Sequence, residues 1–233
     1  MNDQLDRYLN RAHYFAHEIK EKYPSVWDVA GEAIAKSNEV MHTVHNSGAA
    51  RDPKEFRTRL GLWGSVRHYQ VNSLLEIFSR NLDEGLSILR MATELTRALK
   101  AITADATVYA IWVKGDDRRS PNFKAAAKFD LNDPVEKAVF DAYNFCSSYG
   151  THGHKTSAAF LVDTFMGKEP NLKGVATIAK WWFISYVPMH RLCLKCCTDA
   201  NSDVYLECDL ALSVVEARLL ERAQNDAFFN DAI

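Results

Sequence analysis

Proline placement constrains this chain more than any other feature. Asp52-Pro53-Lys54-Glu55 sets Asp at an N-cap, Pro at the first helical position and Glu at the third, and Asp133-Pro134-Val135-Glu136 repeats the arrangement. Ser120-Pro121 is a shorter version, and Pro24-Ser25 marks another boundary. Proline loses nothing at the first helical position, where its missing N–H would have no partner, and Asp or Ser caps a neighbouring orphan N–H. Between these marks the apolar residues recur at helical spacing and not in strand-like alternation. The β-flavoured run Thr107 to Val113 continues a helical pattern and reads as its end.

The expected fold class is therefore all-α, a multi-helix bundle around one long central helix. Helices are expected over about 3–22 and 25–46. A short one after Asp52 breaks near Gly61-Leu62-Trp63-Gly64, and a long one runs from about 65 to 113, closed by Lys114-Gly115. Shorter helices follow at about 121–129, 134–149 and 155–166, then longer ones at about 172–198, kinked by Pro188, and 202–227. On the long segment Val71, Leu74, Leu75, Phe78, Leu82, Leu86, Leu89, Leu95 and Leu99 share one broad face. Glu76, Arg80, Asp83, Ser87, Arg90 and Glu94 take the opposite side. The 233 residues read as one helical domain, 1–233, with an N-terminal helical subdomain over 1–50 as the finer division.

Composition excludes several function classes. A net charge of -2 leaves no global basic field for nucleic acid or anionic lipid. No window is apolar over the roughly 18 residues that a membrane helix needs, and the polar start Met1-Asn2-Asp3-Gln4 reads as neither a signal nor a transit peptide. Five cysteines, four of them between Cys193 and Cys208, make a poor disulfide framework and read as reduced thiols in a cytoplasmic protein. Phosphate-binding P-loop, dinucleotide-binding GxGxxG and GxSxG motifs are absent from the sequence. No cofactor is implied.

The stretch most like a site is Tyr149-Gly150-Thr151-His152-Gly153-His154, a corner between two helical segments. Glycines let the backbone turn there, and His152 and His154 could supply a general base or two metal ligands. The same corner fits a surface turn whose histidines favour a helix C-terminus. Arg90 and Glu94, one turn apart, make either a solvated ion pair or a covered polar spot. His190, Cys193, Cys196 and Cys197 hold zinc-type ligands, but on one helix Cys196 lies off the shared face, so they read as small buried groups and no metal is assigned. His13 and His17, like His42 and His45, share a helix face without the glutamate of a hydrolytic HExxH motif. Arg118, Arg119, Lys124 and Lys128 form a basic cluster interrupted by Asp116, Asp117 and Asp130, a weak basis for nucleic-acid binding.

Leu89-Arg90-Met91-Ala92-Thr93-Glu94, followed by Tyr143 to His152 with Ser147 and Ser148 between, resembles the DUF5677-like group of bacterial all-helical proteins. The resemblance covers about 80 residues and implies that Arg90, Glu94, Ser148 and His152 converge on one polar spot. Gly153-His154 and the cysteine cluster depart from that pattern. Two functional readings stand. The first is a soluble regulatory, ligand-sensing or assembly protein with a polar site near residues 149–154, forming a homo-oligomer or binding a protein partner. The second is a helical-bundle hydrolase acting on RNA or a nucleotide-like phosphoester, with His152 or His154 as base, Arg90 stabilising charge and Glu94 orienting.

Overall fold

The computed structural model describes residues 14–47, 53–115, 121–150 and 172–230, and among these every regular element is helical. Residues 14–22 form α1. Then come α2 (Pro24–Asn46), α3 (Pro53–Phe78), α4 (Leu82–Ala104), α5 (Ala106–Val113), α6 (Pro121–Ala126) and α7 (Pro134–Gly150). The chain closes with α8 (Leu172–Cys197), α9 (Asp203–Asn225) and α10 (Ala227–Asn230). The expected all-α bundle is what these helices form.

The expected long helix over 65–113 is three helices. α3 starts at Pro53, runs unbroken through Gly61 and Gly64, and stops at Phe78. Its end is a left-handed cap on Arg80, whose φ is 66°. The Asn81 amide reaches back to the Glu76 carbonyl at 2.8 Å and the Arg80 amide to the Ile77 carbonyl at 3.0 Å, which satisfies two terminal carbonyls. The side chain of Arg80 is held by Glu18 at 3.0 Å and lies 3.9 Å from the centre of the Phe15 ring. The second break is Asp105, whose carboxylate accepts from the Thr107 amide at 2.7 Å and so starts α5 as a separate helix. Lys114 and Gly115 close α5 as expected, with Gly115 at φ 78°.

The cap turns α3 back onto α4 as a tight hairpin. A Cβ on Gly85 would stand 2.7 Å from Ile77 Cγ1 and 3.2 Å from the Ser73 carbonyl oxygen, so only glycine permits this approach. Ser73 Oγ donates to the Gly85 carbonyl at 2.7 Å across the same contact. The break also rotates the two halves of the expected apolar face apart, and Leu75 ends up exposed.

The centre of the bundle is α8. It is continuous through Pro188 and contacts α2, α3, α4, α7 and α9. Trp182, Phe183, Tyr186, Val187, Met189, Leu192 and Cys193 are all buried along it. Burying an aromatic or large aliphatic side chain contributes about 1.5–3 kcal/mol, so this helix carries much of the hydrophobic stabilisation. The stripe Val26, Ala30, Ala33, Val40 and Val44 of α2 enters the same core. Phe228 and Phe229 of α10 close one end, with ring centres 6.3 Å from Phe78 and 5.1 Å from Phe183.

Candidate functional site

Arg90 and Glu94 pair with each other on α4, Nε to Oε1 at 3.0 Å, and both side chains stay partly solvated. Arg90 lies against α7, with its guanidinium 5.9 Å from the Tyr143 ring, and Arg97 stands at 5.9 Å from that ring too. Burial pushes the Cys146 thiol up to about 12, and the nearby Arg90 charge opposes that shift. The structure thus brings Arg90, Glu94 and the second half of α7 together. His152 and His154 lie outside the described residues, as do Ser120, Arg118, Arg119 and His13. Arg97 Nε donates to the Ala127 carbonyl at 3.2 Å.

That bond is the first of three that fix the segment 127–133. Lys100 donates to the Lys128 carbonyl at 2.7 Å and also binds the buried Glu136 carboxylate. Glu136 Oε2 in turn accepts from the Asp130 amide at 2.6 Å. Glu136 therefore serves as an anchor for the preceding loop. Asp133 does cap α7 as its sequence position implies, with Oδ1 accepting from the Val135 amide at 2.8 Å.

The loop so held is one rim of a cleft of about 420 Å³ between α7, α8 and α9. Asp130, Asn132, Asp133, Pro134 and Val135 line one wall, Arg191, Leu192 and Lys195 of α8 form the floor, and Tyr205 and Asp209 of α9 complete it. Arg191 holds Asp209 with two parallel bonds, Nε to Oδ1 at 2.8 Å and Nη2 to Oδ2 at 3.0 Å, and reaches Glu216 at 2.9 Å. These bonds, Asp209 foremost, raise the Arg191 pKa further and fix the guanidinium in place. Lys195 Nζ binds Asp133 Oδ2 at 3.1 Å, which raises the lysine pKa. Burial pushes Asp133 up, but Lys195 and the Glu136 and Val135 amides outweigh it and hold the carboxyl below its usual range. Burial, then the Asp209 charge, raises the Tyr205 phenol. Two cations face three carboxylates along the lining, a net charge of -1. Asp130, at the rim, accepts from the Asn132 amide at 3.0 Å.

This site was not singled out in the sequence. Arg191 and Lys195 are one turn apart on one face of α8, and Tyr205 and Asp209 are one turn apart on α9; that pairing of i,i+4 polar residues on two long helices was the available signal.

The cysteines have a different role. Cys193, Cys196, Cys197 and Cys208 are free thiols buried in the core, and burial pushes Cys196 up to about 11. They pack as small apolar groups and not as nucleophiles. Among the described residues no group of three or more His, Cys, Asp or Glu is arranged to hold a metal ion. His190 is wholly buried: Trp63 Nε1 donates to its Nδ1 at 2.7 Å, so the neutral ring carries its proton on Nε2. No helix among the described residues is long and apolar enough to cross a membrane.

No family model, curated protein or solved structure matches this chain.

Proposed function

We propose that this chain is a ligand-binding protein without catalytic activity, and that it takes a small molecule bearing a primary ammonium group into the cleft between α7, α8 and α9. The observation that carries the reading is the cleft lining: rigid, net negative, and closed to acid–base work. Its partly buried carboxylates, Asp209 and Asp133, are committed to Arg191 and Lys195, and the exposed Asp130 and the Tyr205 hydroxyl remain to meet a cation. The lining holds no histidine, cysteine, serine or threonine that could form a base–nucleophile pair for hydrolysis. This supports the ligand-sensing form of the first reading at this cleft; the hydrolase reading concerns a different place, around Arg90 and Glu94, and its base, His152 or His154, is outside the described residues.

Five unpaired, buried thiols support placement in a reducing compartment, hence the cytoplasm. The test is calorimetric titration with putrescine, with sodium acetate as the probe of opposite sign. Putrescine binding that weakens in Asp130→Ala and Tyr205→Phe supports the reading. Acetate binding without putrescine binding, or equal putrescine binding in all three proteins, would overturn it.

A further inference from the structure

One face of α3 meets one face of α8 through buried polar side chains. Trp63, Arg67 and Gln70 lie at i, i+4 and i+7 on α3, and Tyr186 and His190 lie one turn apart on α8. Trp63 Nε1 donates to His190 Nδ1 at 2.7 Å, and Gln70 Nε2 donates to the Tyr186 carbonyl at 3.2 Å. The Tyr186 and His190 ring centres are 4.7 Å apart. Burial raises the Tyr186 pKa and lowers that of His190, and the Arg67 charge pulls both down, so its guanidinium lies near the two rings.

Three atoms of this contact have no hydrogen-bond partner among the described residues: His190 Nε2, Arg67 Nε and Gln70 Oε1. Their roles are fixed. The Trp63 bond makes Nδ1 the acceptor, so His190 Nε2 carries the proton and must donate. Arg67 Nε can only donate. Gln70 keeps its nitrogen towards the Tyr186 carbonyl, which leaves Oε1 an acceptor. His190 and Gln70 are wholly buried, and a buried polar group without a partner is destabilising.

We infer that α3 and α8 hold one buried water molecule between them, which accepts from His190 Nε2 and Arg67 Nε and donates to Gln70 Oε1. The inventory of donors and acceptors selects water over an ion. An anion would serve the two N–H groups and be repelled by Gln70 Oε1. A cation would face the Arg67 guanidinium and both N–H groups. A buried water makes about three hydrogen bonds to otherwise unsatisfied groups, and three such groups meet here. The bridge joins Trp63, His190, Gln70 and Tyr186 into one hydrogen-bonded path, which the Tyr186 hydroxyl extends to Ser37 at 2.6 Å. Arg67 is the half-buried member of the three, so the water exchanges with solvent past its side chain.

A high-resolution crystal structure of the full chain, with a bromide-soaked crystal beside it, tests this. The expected result is a water peak within hydrogen-bond distance of all three atoms and no bromide signal at that place. An empty site, a bromide peak, or Gln70 Oε1 bonded directly to His190 or Arg67 would overturn the inference. In solution, oxygen-17 relaxation dispersion reports long-lived internal waters. Gln70→Met, shown to be folded by circular dichroism, should lose the contribution of one water. A folded Gln70→Met with the wild-type amplitude would contradict the bridge, and if that variant does not fold the crystal structure decides alone.

Discussion

Trp63 and His190 are joined in the core by an indole-to-imidazole hydrogen bond of 2.7 Å that fixes His190 as a neutral ring. The Tyr186 ring lies tilted against that ring with centres 4.7 Å apart, and its own hydroxyl meets Ser37 at 2.6 Å, so α2, α3 and α8 share one buried polar seam. His190 Nε2, Gln70 Oε1 and Arg67 Nε are buried in this seam without a hydrogen-bond partner among the described residues.

The seam makes the fold acid-sensitive. Burial, with the Arg67 charge adding to it, lowers the His190 pKa from 6.5 to about 3. The unfolded chain then binds a proton that the folded one refuses, so the stability is fully present above about pH 6.5 and is lost as pH falls towards 3. The expected loss is about 1.4 kcal/mol per pH unit below 6.5. Urea unfolding of wild type and His190→Gln at pH 7 and pH 5 checks this: the variant should lack most of the slope. Equal slopes would contradict it.

Arg80 should tolerate glycine better than alanine. Both lose the Glu18 bond and the Phe15 contact, and only glycine relieves the positive φ. Arg80→Gly is expected to be about 1 kcal/mol more stable than Arg80→Ala. Paired thermal melts give the difference directly.

Two helix glycines should respond with opposite signs. Gly61 has open space where a Cβ would go, so Gly61→Ala is expected to stabilise by about 0.5–1 kcal/mol. Gly85→Ala drives a methyl into Ile77 and is expected to cost about 1–3 kcal/mol. Denaturant midpoints of the two variants settle both.

Much of the fold was legible because proline and capping chemistry are local. Pro53 and Pro134 do begin helices, and Lys114-Gly115 does end one. The hinge at Arg80 was not legible: left-handed caps are read from glycine, and here an arginine takes the position because Glu18 and Phe15, far off in sequence, hold its side chain. Asp105 was hidden for a different reason. Its cap interrupts a segment whose apolar pattern continues on both sides without proline or glycine. At the site level, Arg90–Glu94 was visible as a one-turn pair. The Arg191–Asp209 bond joins two helices across a hairpin; the i,i+4 polar spacing within each helix marks a face but not which residues meet across the hairpin.

The Arg90–Glu94 pair contributes little by itself. It is partly solvated, so Glu94→Gln is expected to change stability by about 0.5 kcal/mol or less. A larger loss in a chemical melt would mean that the pair braces the α4–α7 contact through Tyr143.

The most direct test of the ligand-binding account is amide chemical-shift mapping of the full chain during titration with putrescine. The account expects saturable shifts concentrated at residues 130–135, 191–195 and 205–209, reduced in Asp130→Ala. Shifts clustered instead around Arg90, Glu94 and the end of α7, or none at all, would contradict it.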